Sequence, residues 1–331
     1  MHAIRLHAHG PAENLSYETV EDPVPGPGQV RIAVAAAGVH LIDTVMRQGA
    51  AGSPAGGPEL PTIPGREVAG TVDGLGEGAD PQWLGKRVVA HLGFVPGGYA
   101  ELAVTDTTRL HEIPPGFDEA EAVAMIGTGR TTMGILQFAD LGPGSIAVVT
   151  AAAGGIGTLL TQYAKNAGAT VIGLAGGPAK VSRVRAEGAD LAVDYTRPDW
   201  PDQVRAHLGD RAATVVFDSV GGSTGLAAVD LLGKGGQHLV YGWARQGPGG
   251  GSPLTFTDAE QADRGITSLN VLGPMFQPVG GDIRVLEERA LAEAAAGRLR
   301  PQVQRFPLAE ASRAHQALET RATMGKVVLV P

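Results

Sequence analysis

Apolar residues follow two different rhythms along this 331-residue chain. Up to about Asp118 they come in short runs broken by Pro and Gly: QVRIAVAAAGV (29–39), EVAGTVDGL (67–75), KRVVAHL (86–92) and GGYAELAVT (97–105). Such runs between turn residues predict an irregular, mostly antiparallel β unit. The segment Pro23-Val24-Pro25-Gly26-Pro27-Gly28 lies between two strand-like runs, so it reads as a turn rather than a linker.

After Pro114-Pro115 the pattern changes to alternating helix and strand. DEAEAVAMIGTGRTTMGILQFADL (118–141) reads as helical, SIAVVTAA (145–152) as a buried strand and TLLTQYAKNAGA (158–169) as a helix with an apolar face. TVIGLA, LAVDY, TVVFDSV and QHLVYGW follow as strands, with helices at KVSRVRAEGA and around Ala227 to Leu232. This alternation predicts a parallel sheet covered on both faces. From about Asp258, helices such as IRVLEERALAEAAAGRL mix with the short strands VQRFPL and KVVLVP. The length suits two domains, each with its own core.

The most informative stretch is the small-residue turn Ala151-Ala152-Ala153-Gly154-Gly155-Ile156-Gly157. Ala152, Gly154 and Gly157 take the three small positions of a dinucleotide turn, directly after an apolar strand and directly before a helix. That chemistry needs a tight turn, a backbone close enough to touch a pyrophosphate, and helix packing with no side chain in between. The N–H groups of Gly155 and Ile156 and the positive helix end then hold phosphate. At the end of the next strand an NAD site usually carries Asp or Glu for the ribose hydroxyls. Here the chain reads Ala175-Gly176-Gly177, followed by Lys180 and Arg183, which favours the 2'-phosphate of NADPH.

Composition narrows the field. The formal net charge is −8, with no Lys/Arg run, so nothing marks a nucleic-acid or anionic membrane partner. Cysteine is absent, which excludes disulfides, thiolate chemistry and Cys-based zinc sites. Neither a signal-peptide core near Met1 nor a bilayer-length apolar run is visible, so the expected location is the cytoplasm.

The chain resembles the zinc-independent quinone oxidoreductases, related to zeta-crystallin, of the medium-chain dehydrogenase/reductase superfamily. The resemblance rests on VHLIDTVMRQG, PGREVAGTV, the AAAGGIG turn, Ala179-Lys180, Val193 to Tyr195, VVFDSVGG and the closing RATMGKVVLVP, in that order from end to end. It implies an α/β protein in which a Rossmann-type doubly wound parallel sheet is inserted into a mainly-β GroES-like catalytic domain. The expected boundaries are 1–122 plus 261–331 for the catalytic domain and 123–260 for the NADPH-binding domain. It implies further that Lys180 and Tyr195 hold the adenosine 2'-phosphate and that Arg321 contacts the cofactor. Thr128 and Thr131 would open a helix facing the cofactor, with a helix-cap role equally compatible. Tyr241 and Gly242 would meet the nicotinamide at a strand end. A homodimer formed by extending the cofactor-domain sheet is also implied.

In zinc-dependent members of that superfamily the ligand positions correspond to His40, Arg66 before Glu67, and about Thr128, a set that lacks the thiolates and places a guanidinium beside the ion. We therefore expect no metal. The expected chemistry is hydride transfer from NADPH to a quinone or to an α,β-unsaturated carbonyl, with His40, Asp43 and Arg66 as candidate catalytic residues. Relatives typically carry Asn where this chain has His40. Asp43 either orients His40 or caps the helix that begins there, and Arg66 either anchors an anion or pairs with an acid. Two alternatives stay open: an enoyl-thioester or enone reductase of secondary metabolism, and a non-catalytic NADPH-binding protein.

Overall fold

The computed structural model describes residues 1–49, 59–93, 97–244, 251–277 and 281–331. The chain forms two units, Met1–Thr128 with Pro301–Pro331, and Gly129–Arg300.

The opening segment carries β1 (His2–Leu6), β2 (Leu15–Thr19), β3 (Gln29–Val39), α1 (Leu41–Gln48), β4 (Glu67–Leu75), β5 (Arg87–His91), β6 (Leu102–Asp106), β7 (Leu110–Glu112) and α2 (Glu119–Ala124). Next come α3 (Arg130–Leu136), β8 (Ile146–Val149), α4 (Gly155–Asn166), β9 (Thr170–Ala175), α5 (Pro178–Ala186), β10 (Leu191–Asp194), α6 (Trp200–Leu208) and β11 (Ala213–Asp218). The second unit closes with α7 (Gly222–Val229), β12 (Leu232–Val240), α8 (Asp258–Arg264), β13 (Thr267–Asn270) and α9 (Arg284–Ala295). The chain then returns to the first unit as β14 (Val303–Pro307), α10 (Ala311–Glu319) and β15 (Lys326–Val330).

The first unit is a sheet in the order β14-β15-β3-β4-β5-β7, with β6 also paired to β3 and a separate β1–β2 hairpin. Every pairing is antiparallel except β14 with β15. Its core gathers the inward residues of these strands, among them Ile4, Ile32, Val68, Val88 and Leu329, together with Tyr99 from the segment before β6. The register sets up the site: β15 runs antiparallel beside β3, and β3 beside β4, so Gly38, Glu67 and Lys326 come together at one place in the sheet.

The second unit is a six-stranded, wholly parallel sheet in the order β10-β9-β8-β11-β12-β13. This is the doubly wound sheet expected from the helix–strand alternation. Its strands are continuous apolar runs, such as the fully buried IAVV of β8, because helices cover both faces. Three boundaries differ from expectation, the first being the end of the opening segment, which runs to Thr128 rather than to residue 122. Residues 261–300 belong here rather than with the catalytic unit, since β13 adds to β12 and α9 packs on α3. The helix expected around Ala227 to Leu232 is α7, which starts at Gly222, and Leu232 already opens β12; the Gly221-Gly222 pair hides the helix start from a propensity reading. Among the described residues no helix is long and apolar enough to cross a membrane.

Candidate active site

In the second unit the turn between β8 and α4 is closed by the Gly154 N–H donating to Ala151 O, and is tied to β9 by Ala152 N–H donating to Leu174 O, both at 2.9 Å. Ala151 takes a left-handed φ of 47°, which costs a residue with a β-carbon about 1 kcal/mol and so marks a constrained turn. A β-carbon on Gly157 would collide with the Ala151 carbonyl and the Ala152 Cα, so only glycine lets α4 pack this close. Gly154 caps α4 in an extended conformation and brings no side chain, which leaves the first-turn N–H groups of Gly155, Ile156 and Gly157 for an anion. The turn stands where the strand order reverses, β8 lying between β9 and β11, the usual crevice for a dinucleotide.

The end of β9 has been cleared of side chains. Tyr195 places its phenol against Gly176, where a β-carbon would lie 3.3 Å from the oxygen. The acid nearby, Asp194, is occupied: its Oδ1 accepts from Gly177 N–H (2.9 Å), Thr196 N–H (3.0 Å) and Thr196 Oγ1 (2.7 Å). Partial burial would raise the Asp194 pKa, but these hydrogen bonds outweigh it and hold the carboxyl below its ordinary value. Lys180 sits half-buried in the first turn of α5. Arg183 is engaged locally, its Nη2 lying 2.8 Å from Glu187 Oε1 one turn on.

Beyond the switch point, Asp218 is fully buried at the end of β11. Its Oδ1 accepts from Thr150 Oγ1 (3.1 Å), Val220 N–H (2.9 Å) and Gly221 N–H (3.1 Å), joining the end of β8 to the loop after β11. Tyr241 donates its N–H to Asp218 O at 2.8 Å; its ring is buried, its hydroxyl bonds to Ser219, and burial pushes its pKa up. It is a strut beneath the loop, while Gly242 remains the bare backbone position against Ser219.

In the first unit, β3 delivers His40 as the residue that caps α1. Of the two roles open for Asp43, the geometry gives the cap: Oδ2 accepts the His40 backbone N–H at 2.8 Å. The imidazole is held instead by Glu67, with His40 Nε2 2.6 Å from Oε1, while the other oxygen of Glu67 accepts from Lys326 Nζ at 2.9 Å. Burial would raise the Glu67 pKa, but the positive charges of His40 and Lys326 prevail and hold it well below the carboxylate range. Burial also pulls Lys326 below its usual value, against the opposing pull of Glu67. Arg66 turns away from its neighbour Glu67 and faces Asp43, Nη2 to Oδ1 at 3.5 Å.

Asp43 also anchors a second buried group. Tyr99 donates its hydroxyl to Asp43 Oδ2 at 3.0 Å, so the His315 Nε2, 3.2 Å from the same phenol oxygen, must be the donor to it. Burial, then the Asp43 charge, pushes the Tyr99 pKa well up. Arg47, buried on α1, pairs with Glu319 of α10. Arg321 closes α10 with a φ of 57°. Thr128 lies in a π-helical turn, Met125–Gly129, and Thr131 at the start of α3. The chain is already helical before Thr128, so that residue does not open a helix; such π turns recur at functional positions.

Sequence reasoning singled out His40, Asp43 and Arg66 but missed Lys326, Tyr99 and His315, and treated Glu67 only as a metal position. The signal for Lys326 is the lysine that begins the apolar run KVVLV. For Glu67 it is the small residues Gly38 and Gly127, where a β-carbon would overlap the carboxylate. Among the described residues no group of three or more His, Asp or Glu side chains is placed to hold a metal ion.

Known proteins resemble this chain along its whole length. Residues 26–115 match the profile described as the alcohol dehydrogenase GroES-like domain, and 155–279 that described as zinc-binding dehydrogenase. The chain is 32% identical over 333 residues to a quinone oxidoreductase of Pseudomonas aeruginosa, covering 99% of each. It is 31% identical over 334 residues to a 2-haloacrylate reductase of Burkholderia sp, covering 98% of each. The crystal structure of Escherichia coli quinone oxidoreductase complexed with NADPH superposes with a TM-score of 0.84 at 27% identity, covering 100% of both chains. With full-length similarity at this level and both profiles in chain order, the protein belongs to the quinone oxidoreductase family of the medium-chain dehydrogenase/reductase superfamily.

Proposed function

We propose that this protein is an NADPH-dependent reductase that passes hydride to a quinone or another activated unsaturated carbonyl, without zinc. The observation that carries the reading is the β9 end: Gly176-Gly177 where an acid would select NAD, with Tyr195 and Lys180 beside it and Asp194 already consumed by the loop. The uncapped first turn of α4 suits the pyrophosphate, Lys180 and Tyr195 suit the 2'-phosphate, and Arg321 and Gly242 remain candidate contacts. Arg183, taken up by Glu187, plays at most a small part. When bound, NADPH supplies the hydride. The chain's own contribution is to align the acceptor, with His40 and Arg66 as the candidate polar groups for charge that develops on oxygen.

The donor set argues against zinc. There is no thiolate, the Nε2 of His40 is taken by Glu67, and Lys326 and Arg66 bring positive charge to the same place. Both the quinone oxidoreductase and the 2-haloacrylate reductase relatives reduce electron-poor double-bonded systems by name, which fits an acceptor that needs no Lewis acid. A homodimer is favoured by the outer edge of β13, which ends the strand order among the described residues and where Leu269 is 42% exposed. The test is the initial rate of NADPH oxidation with 1,4-benzoquinone and with an enone, before and after dialysis against a chelator. We expect turnover with at least one acceptor and no change on chelation. Loss of rate restored by zinc would contradict the metal-free reading, and tight binding without turnover would favour a binding protein.

A further inference from the structure

In a parallel sheet a residue points to the same face as its partners on the neighbouring strands and as the residues two positions along. In the second unit His238 of β12 stands opposite Val216 of β11 and Ser268 of β13, so its side chain falls on the face that also carries Asp218, two residues after Val216. Both side chains are fully buried, with His238 Nε2 3.5 Å from Asp218 Oδ2 and Nδ1 2.8 Å from Ser268 Oγ. An ionised carboxylate only accepts, so Nε2 carries the proton that faces it. Burial would raise the Asp218 pKa, but the His238 hydrogen bond, then the N–H groups of Gly221 and Val220, outweigh it and hold the carboxyl below its ordinary value. Among the described residues His238 is the partner of Oδ2, while Oδ1 serves Thr150, Val220 and Gly221. The Phe256 ring meets the imidazole edge-on, 5.9 Å between centroids, and helps to fix it. A chain of polar contacts thus crosses the sheet from Thr150 at the end of β8 to Ser268 on the edge strand.

What this chain of contacts holds is the loop 219–222. Gly221 and Gly222 take left-handed φ values of 66° and 57°, a conformation with no side chain to brace it, so the loop relies on its hydrogen bonds to Asp218 and on Ser219 N–H donating to Thr150 Oγ1 at 2.9 Å. The loop leaves the carboxyl end of β11, which lies on the opposite side of β8 from β9. On the dinucleotide reading above, on which this inference rests, the adenosine half lies toward the end of β9 and the pyrophosphate on α4, so the loop faces the nicotinamide half. We propose that His238, braced by Ser268, is a positioning residue for the nicotinamide half of the dinucleotide: by holding Asp218 it sets the Val220 and Gly221 backbone against which that half binds. Fully buried, it acts only through Asp218. The adenosine and its phosphates, held by other parts of the unit, do not sense it.

The test compares His238→Leu, which leaves Oδ2 of a buried carboxylate without its donor, with His238→Gln, whose amide can still donate, and with Ser268→Ala, which removes only the outer brace at a partly exposed position. The probes are NADPH and adenosine 2',5'-bisphosphate, a fragment without the nicotinamide half, together with the amide NMR signals of Val220 and Gly221 in the cofactor-free proteins. We expect His238→Leu to weaken NADPH at least about fivefold and the bisphosphate less than about twofold, the lower end of what an unpartnered buried acceptor costs. His238→Gln should recover most of that loss, and the Val220 and Gly221 signals should move in His238→Leu and return in His238→Gln. Ser268→Ala should shift the same signals and weaken NADPH selectively by a smaller factor, which decides the matter if His238→Leu does not fold. Equal losses for the two probes, or unchanged NADPH affinity in a variant whose loop signals have moved, would overturn the proposal alone and leave His238 a purely structural residue. Failure of the parent protein to bind either probe would overturn the dinucleotide reading and this proposal with it.

Discussion

Replacing His315 by Gln removes an imidazole that the fold holds neutral, and this changes how stability depends on pH. His315 is fully buried on α10, donates to Tyr99, and has no hydrogen-bond partner for Nδ1 among the described residues. Burial lowers its pKa from 6.5 to about 4; the Asp43 charge opposes the shift and Arg47 adds to it. Because the folded value is depressed and the charged form is the protonated one, the unfolded chain binds the proton more readily. Stability is therefore intact above pH 6.5 and is lost progressively down to about pH 4, below which the loss is complete. Between pH 7.5 and pH 5 the linkage amounts to about 2 kcal/mol. Urea unfolding of the first unit at the two pH values, followed by Trp83 fluorescence in a protein with Trp200 and Trp243 replaced by Phe, measures it. The parent should lose about 2 kcal/mol more than His315→Gln over that interval. Equal losses would refute the reasoning, because they would mean that His315 is protonated in the folded state or solvated in it.

Three further outcomes follow from the same geometry. Lys180→Ala should weaken NADPH by about 1 to 3 kcal/mol relative to NADH in parallel titrations, the size of one charge-assisted hydrogen bond; equal weakening would misplace the 2'-phosphate. Arg183→Ala should change NADPH affinity by less than about 0.5 kcal/mol, since its guanidinium is paired with Glu187 one turn on; a loss comparable to that of Lys180→Ala would show that it reaches the phosphate. Gly157→Ala drives a β-carbon into the Ala151 carbonyl, so calorimetry should show a lower Tm and binding assays a marked loss of NADPH affinity, and an unchanged protein on both counts would contradict the packing.

The parts of this protein governed by local pattern were legible from the sequence. SIAVVT followed by small residues and an amphipathic run specifies a strand, a tight turn and a helix almost independently of context, and that is what β8, the turn at Ala151 and α4 form. The missing acid at Gly176-Gly177 was equally readable. What escaped depended on pairings far apart in the chain. Lys326 meets Glu67 across 259 residues, and His315 meets Tyr99 across 216, because β15 and α10 return to a sheet begun by β3. No window of local sequence contains both partners. The reading of Asp43 stalled for a related reason: a carboxylate three residues into a helix looks the same whether it orients a side chain or caps the backbone, and only the position of Glu67 decides who holds the imidazole. The return point at Pro301 was misjudged because an edge strand such as β13, short and mostly exposed, carries little hydrophobic signal.

The account depends above all on a dinucleotide site built for a 2'-phosphate, and parallel fluorescence titrations with NADPH and NADH test it most directly, with 1,4-benzoquinone and then an enone added to the same sample. The account predicts tighter binding of NADPH and loss of its reduced-nicotinamide absorbance on addition of an acceptor. Failure to bind either dinucleotide, or a preference for NADH, would contradict it.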